Sequence, residues 1–215
     1  MNDIRRYIII LENASQDELQ KYRDEQKYWQ NAHKKYWSIS KKLMAQYRDG
    51  SHTEKDRDGN LIWKKDGKLH RDGDKPAWIS SDGTLAWVKN DQYHRDGDLP
   101  AYIGADGRLG WYQNGEMHRD NDKPAWIGAD GGLQWYQNGE AHRDGDKPQY
   151  IGADGYLRWC QNAQNHRFSG PAIMSPGGKL EWWWRGEKIP VNSQEEFIEW
   201  MKKHKGMQRF KINKS

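Results

Sequence analysis

Five His-Arg pairs recur along the 215-residue chain, at His70-Arg71, His94-Arg95, His118-Arg119, His142-Arg143 and His166-Arg167. Acids follow them closely, at Asp72 and Asp74, Asp96 and Asp98, Asp120 and Asp122, and Asp144 and Asp146. Imidazole, guanidinium and carboxylate at fixed spacing suggest three chemistries: a metal ladder, acid–base catalysis, or an anion-binding stripe. A metal site needs several ligands converging on one point, whereas these histidines come singly. Catalysis needs an acid and a base set apart by different surroundings, and equal repeats give equal surroundings. Arginine binds phosphate well, but the adjacent acids compete for it. The Asp-x-Asp loops raise calcium, which takes six to eight oxygens; two carboxylates per loop suffice only if neighbouring loops pool theirs. The remaining reading is structural: His packs on Trp and bonds a neighbouring backbone, and Arg pairs with an Asp of the next turn. No nucleophile with a base, phosphate-cradling loop or zinc signature accompanies these residues. The expectation is a protein that is not an enzyme and uses no metal or cofactor.

These residues sit on a repeat. Trp63, Trp87, Trp111 and Trp135 stand 24 residues apart, Trp159 follows at the same interval, and Trp182 comes one residue early. A His follows the first five seven residues later, and a Gly precedes each of the six by four. Fixed-period self-similarity indicates a repeat architecture with atypical ends. Asp66-Gly67, Asn114-Gly115 and Asn138-Gly139 suit two-residue type I′ hairpins. Asp82-Gly83, Asp106-Gly107, Asp130-Gly131 and Asp154-Gly155 mark a second turn per unit. Read as a two-residue turn, Asp106-Gly107 sets Tyr102 opposite Trp111, which faces His118 across the first turn. That register predicts cross-strand rows Tyr102/Trp111/His118, Trp78/Trp87/His94 and Trp126/Trp135/His142. Cross-strand aromatic pairs each contribute roughly 0.2–1 kcal/mol.

Composition agrees with a thin aromatic-covered sheet. Only 34% of residues are hydrophobic, yet there are thirteen Trp and eleven Tyr against three Phe. Mean hydropathy is −1.24. Disordered chains lack aromatics, so the chain folds. Net charge is +4; residues 201–215 hold six cations and no acid, and removing them from that total leaves −2. The basicity belongs to the tail. The lone Cys160 occupies a Tyr position of the repeat and forms no internal disulfide. "YIIIL" at 7–11 is too short for a secretory segment and no apolar run reaches membrane-spanning length, which makes the cytoplasm the default location (the host cytoplasm if the gene is viral).

Helices flank the repeats. Ile4, Tyr7, Ile8 and Leu11 have helical spacing, with a strand as the competing reading. Ser15 and Glu18 form a capping-box pattern before a long helix to about Gln46. Tyr22, Trp29, Tyr36 and Leu43 recur every seven residues along it, a stripe that buries against the first strands or pairs two copies of the chain as a coiled coil. After Pro190, Ser193 and Glu196 open a second helix with Phe197, Trp200, Met201 and His204 on one face and Gly206 as its stop. It serves as a lid on the last strand. The organisation is therefore a helical region over 1–46, a β-repeat array of five to six units over 47–189, and a capping helix with basic tail over 190–215.

The pattern in "WYQNGEMHRDNDKPAWIGADG" (111–131) and "HRFSGPA" (166–172) resembles the MORN repeat. It is closer still to a Trp-Tyr-x-Asn-Gly-x-x-His-Arg-x-Asp-Gly-Pro-Ala variety found in uncharacterised proteins of phages, large DNA viruses and bacteria. The likeness covers about 47–189. The Tyr-x-Gly-x-Trp signature of MORN proper is missing, Arg stands after His where MORN has Gly, and the period is slightly longer. The resemblance implies a mainly β, elongated antiparallel β-hairpin repeat sheet that acts as a scaffold or protein-binding module, such as a phage product directed at a host protein. Trp, Tyr and Arg dominate binding hot spots, which makes Trp78, Trp87, Tyr102, Trp111, Trp126, Trp135, Arg95, Arg119 and Arg143 the candidate surface. Two alternatives stay open: a carbohydrate or cell-wall binder using the aromatic faces, and a nucleic-acid or anionic-lipid binder using the tail.

Overall fold

The computed structural model describes residues 3–47 and 54–204. The chain is mainly β: a 13-stranded antiparallel sheet with an N-terminal helix, α1 (Asp3–Tyr47), and a C-terminal helix, α2 (Gln194–Lys203). Five two-stranded ribbons stand beside the main sheet. Each repeat unit gives the main sheet two strands and then builds one ribbon, as Tyr102–Ile103 and Leu109–Gly110 followed by Tyr112–Gln113 and Glu116–Met117.

The repeating tryptophan is where the chain changes sheets. Trp111 N–H donates forward to Ala125 O at 2.8 Å in the next unit, while Trp111 O accepts from His118 N at 3.1 Å in its own ribbon. Trp63, Trp87, Trp135 and Trp159 divide their backbone bonds in the same way. The strands are two residues long because every third residue switches partner.

The ribbon turns follow the sequence reading. Asp66-Gly67, Asn114-Gly115 and Asn138-Gly139 have positive φ at both positions, as type I′ requires. Asn90-Asp91, Asn162-Ala163 and Arg185-Gly186 take the same conformation with poorer residues for it. Gln113 pairs with Glu116 and Tyr112 with Met117, as that turn demands.

The second turn differs from the expected one. Gly107 N bonds Gly104 O at 2.9 Å and Gly104 N bonds Arg108 O at 2.8 Å, which closes a three-residue loop with Gly107 at φ +94°. This is a type I turn with a glycine bulge. Tyr102 therefore pairs with Gly110, not Trp111. A one-residue shift moves every side chain to the other face, so the three predicted Tyr/Trp–Trp–His rows do not form. Two rows replace them. Ile79, Leu85, Ile103, Leu109, Ile127, Leu133, Ile151 and Leu157 line one face, all buried, and the tryptophans Trp87, Trp111, Trp135 and Trp159 join them. Trp78, Tyr102, Trp126 and Tyr150 line the other, each half-buried.

Helix α1 is continuous through Ser15, so Ser15 caps nothing: no Gly or Pro interrupts the segment, and propagation is easier than starting a helix anew. Its side chains are described between Asp17 and Lys42, except at 35, 39 and 40; Ile4, Tyr7, Ile8, Leu11, Ile39 and Leu43 lie outside that set. The aromatic stripe packs on the chain's own core, but on later units rather than the first strands. Tyr22 meets Trp159 edge-on at 6.0 Å and Tyr36 meets Trp111 at 5.8 Å. Fourteen helix residues thus span two units. Seven helical residues rise about 10.5 Å, and two sheet strands occupy about 9.6 Å. This near match lets one heptad address one 24-residue repeat.

Helix α2 closes the far end. Ser193 Oγ accepts from Glu196 N at 3.1 Å, and Glu196 accepts from Asn192 N at 2.7 Å. The helix ends at Lys203, and Gly206 lies outside the described residues. Phe197 and Met201 pack with Trp182, Trp184 and Ile189. Gln194 accepts from the indole N–H of Trp182 at 3.2 Å. The sixth repeating Trp, which has no Arg eight residues on, is covered by this helix instead. At the opposite end the edge strand is only Glu54–Lys55; a short charged strand is a poor template for pairing.

Candidate binding surface

The His-Arg-Asp positions form a connected lattice on the buried face. Each Arg guanidinium lies over the Trp of its own unit: Arg71 on Trp63 at 3.8 Å, Arg95 on Trp87 at 3.6 Å, Arg119 on Trp111 and Arg143 on Trp135 at 3.7 Å, Arg167 on Trp159 at 3.9 Å. Arg, not His, is the residue that covers the tryptophan. The same guanidinium donates to a proline carbonyl in its own loop, as Arg119 to Pro124 at 3.1 Å. Its remaining N–H groups reach an Asp of the preceding unit, not the following one. Arg119 bonds Asp98 at 2.6 Å, Arg143 bonds Asp122 at 2.7 Å and Arg167 bonds Asp146 at 2.8 Å. A planar fork is needed for stack and bidentate pair together, which Lys lacks.

The paired carboxylates are tuned accordingly. Burial pushes Asp98 up, but donors from Arg119 and Lys123 outweigh it and hold the carboxyl below its usual value. Arg143 and Lys147 do the same for Asp122, and Arg167 and Ser169 for Asp146. The other Asp of each loop turns to its histidine. His118 Nε2 contacts Asp120 at 3.0 Å, and Asn138 N, from the next ribbon, donates to His118 Nδ1 at 3.2 Å. An accepting Nδ1 places the proton on Nε2, toward the carboxylate. His94, His118 and His166 bond a neighbouring backbone as expected, whereas His70 Nδ1 contacts the Asn90 side chain at 2.9 Å. Among the described residues no three His, Cys, Asp or Glu side chains converge as a metal would need; the loop carboxylates face Arg, Lys and His instead.

Helix α1 adds acids at heptad spacing to this lattice. Glu18 accepts from Arg167 and Glu25 from Arg143, each at 2.6 Å. Gln26 donates to Gly152 O at 2.8 Å, and His33 contacts Gly107 O. At the next heptad position stands Ala32, and Arg119 there faces the Trp29 ring at 4.9 Å. Nothing in the sequence pattern alone links Glu18 and Glu25 to arginines more than a hundred residues away, though their seven-residue spacing is visible.

The predicted surface residues divide between the faces. Trp87, Trp111 and Trp135 are 2–3% exposed and belong to the core, and Arg119 and Arg143 are buried with them. Arg95 lies at the same lattice position with its side chain 10% exposed. Trp78, Tyr102 and Trp126 fall on the opposite face, half-buried. That face carries further aromatics the repeat pattern did not single out. Tyr93 lies 6.3 Å from Tyr102 and 5.1 Å from Tyr112, and Tyr102 stacks on Trp126 at 5.8 Å with 23° between planes. Burial, then neighbouring Tyr93 and Tyr102, push the Tyr112 hydroxyl up to about 12. Gly110 permits this cluster: a Cβ there would sit 2.7 Å from the Tyr112 ring and 3.1 Å from that of Trp126.

These features define a class by fold, an antiparallel β-hairpin repeat array carrying a stapled helix on one face and an aromatic row on the other. No family model, curated protein or solved structure matches the chain. No helix among the described residues is long and apolar enough to cross a membrane.

Proposed function

We propose that the protein is a non-enzymatic recognition module of the MORN-like type, binding a protein partner along the open aromatic face. The observation that carries this reading is the unequal treatment of the two faces. One is covered by α1 and its arginine lattice. The other leaves Trp78, Tyr102, Trp126 and Tyr150 half-exposed at one aromatic per unit. Aromatic side chains give large contact area at low entropic cost, and a row of them at regular spacing serves an elongated partner. A scaffold role fits the same geometry, because the array is rigid along its length through the unit-to-unit Arg–Asp and backbone bonds.

The test uses the full chain as bait, as wild type and as Tyr102→Ala/Trp126→Ala, each with its urea midpoint measured. A partner retained by the wild type and lost by a folded double variant supports the reading. Equal recovery by both discards it. Polysaccharide is the second reading, favoured by the flat ring row, and co-sedimentation with purified peptidoglycan that depends on the same two residues would replace the first. The tail lies outside the described residues, so the nucleic-acid or anionic-lipid alternative rests on its sequence alone.

A further inference from the structure

We infer that the open aromatic face binds an uncharged, proline-rich peptide in polyproline II conformation, laid along the direction in which the units stack. This rests on the recognition reading above and names the ligand class.

The spacing comes first. Each unit adds two strands to the main sheet, so equivalent positions lie about 9.4–9.8 Å apart. A polyproline II helix returns to the same face every three residues, about 9.3 Å. Trp78, Tyr102, Trp126 and Tyr150 mark three such intervals, over which the mismatch accumulates to at most about 1.5 Å. Other peptide forms keep step less well. An extended strand presents one face about every 6.6 Å. An α-helix advances about 10.5 Å per heptad, and it is the opposite face that carries such a helix.

The local relief comes second. Tyr102 and Trp126 lean together over Gly110 into a stacked ridge. Beside it, Ala86 pairs with both Trp78 and Tyr102 and is buried with Val88 against Trp78, so the rings of Trp78 and Tyr102 stand on a filled base. Tyr93, 36% exposed, flanks it. Flat aromatic rings presented side by side are the surfaces on which proline rings dock.

Charge complementarity comes third. From Trp78 to Tyr150 the row consists of Trp78, Ala86, Tyr102, Gly110, Trp126, Gln134 and Tyr150, none of them ionic. The adjacent Arg108 is neutralised by Asp106 at 2.7 Å. The next position of the row is Arg158, which pairs with Tyr150 and lies 5.8 Å from its ring; between Trp78 and Tyr150 the row suits a neutral ligand. Polyproline II also leaves its carbonyls without internal hydrogen bonds. The indole N–H groups of Trp78 and Trp126 and the hydroxyls of Tyr102 and Tyr112 donate to no acceptor among the described residues, and they supply matching donors.

The experiment titrates the full-length protein into fluorescently labelled hexaproline, nonaproline and dodecaproline and follows anisotropy. Affinity rises in steps with each added triplet, at least tenfold from hexaproline to dodecaproline, and a Gly-Ser dodecamer does not bind. Trp126→Ala weakens dodecaproline at least tenfold; Tyr28→Ala, on the exposed side of α1, leaves it unchanged. A second measurement guards against a misfolded variant: on the wild type, dodecaproline shifts the indole N–H resonances of Trp78 and Trp126 and not those of Trp111 and Trp135. Absence of saturable binding, affinity indifferent to length, or tighter binding of chitohexaose or oligothymidylate overturns the inference. If the bait experiment yields a Trp126-dependent partner while dodecaproline fails, the ligand class is wrong and the recognition reading survives.

Discussion

The two faces of the main sheet are built from the same repeat yet treated in opposite ways. On one, Trp111, Trp135 and Trp159 are buried beneath arginines, and α1 delivers Glu18 and Glu25 to the outermost N–H groups. On the other, Trp78, Tyr102 and Trp126 rest half-open on small residues, Ala86 and Gly110. Tryptophan alone does not tell the two apart. What differs is the neighbour: an Arg eight residues on covers Trp87, Trp111, Trp135 and Trp159, helix α2 covers Trp182, and Trp78, Tyr102 and Trp126 have neither cover. The sheet thus has one closed face and one half-open face.

The contrast is broken most severely on the covered face. Arg143 has a side chain 2% exposed and bonds Asp122, Glu25 and Pro148 while stacking on Trp135. Arg143→Ala leaves Glu25 without its partner and Asp122 with Lys147 alone, and removing one partner of a buried pair costs about 3–5 kcal/mol. Trp135→Ala loses a buried indole at about the same cost. Trp126→Ala, half-exposed, is expected to cost about 1–2 kcal/mol, scaled from full burial. Urea denaturation of the three variants measures the difference; a Trp126→Ala loss as large as that of Trp135→Ala would erase the distinction between faces.

A gentler change tests the match between heptad and repeat. Glu25→Gln keeps an acceptor for Arg143 but removes its charge, and it is expected to lose about 1–2 kcal/mol of the worth of a charged hydrogen bond. Ala32→Glu places an acid where the heptad reaches Arg119 and is expected to gain up to about 1 kcal/mol. Opposite shifts in the urea midpoint, one down and one up, are the outcome that the stapled arrangement requires.

Much of this design is written in the sequence. The 24-residue period, the ribbon turns at Asn114-Gly115 and Asn138-Gly139, their register and the β-repeat class are all legible, because turn chemistry is local and φ > 0 demands particular residues. The faces were less legible. Asp106-Gly107 reads equally as a two-residue turn or as the end of a three-residue loop, and one residue decides which side Trp111 occupies. The sequence also shows that α1 has a heptad stripe, but not where along the array it lies, since that depends on the direction in which the chain doubles back. The arginines looked like surface residues because charge normally stays in water. Their burial depends on acids 21 residues earlier and on Glu18 and Glu25, pairings that only the assembled stack creates.

Smaller still is a defect within the ribbons. Asn162-Ala163 occupies a type I′ turn, with Ala163 at φ +59°. A Cβ in the left-handed region costs roughly 1–2 kcal/mol, part of which glycine returns as chain entropy in the unfolded state. Ala163→Gly is therefore expected to raise stability by about 0.5–1 kcal/mol. Gly139→Ala, at φ +80° in an equivalent turn, is expected to lower it, and thermal melts of the pair give the sign.

The weakest contrast runs along the histidine ladder itself. His166 accepts Arg185 N–H on Nδ1 at 3.1 Å and lies 4.3 Å from the Trp184 ring. Burial, reinforced by the Arg185 charge, lowers its pKa. Protonation there breaks the bond to Arg185, so the neutral ring is the one the fold favours. The stability this contributes is fully present above the unfolded value of about 6.5 and is lost as pH falls through the lower folded value. Asp98, Asp122 and Asp146 are depressed as well, but their contribution is lost only below the ordinary carboxylate value near 3.8, in a separate window. Urea midpoints between pH 7.5 and pH 5 should therefore fall for the wild type and flatten for His166→Gln, whose amide does not titrate. An equal fall in both would move the acid sensitivity away from the last ribbon, where the ladder meets the helix-capped end.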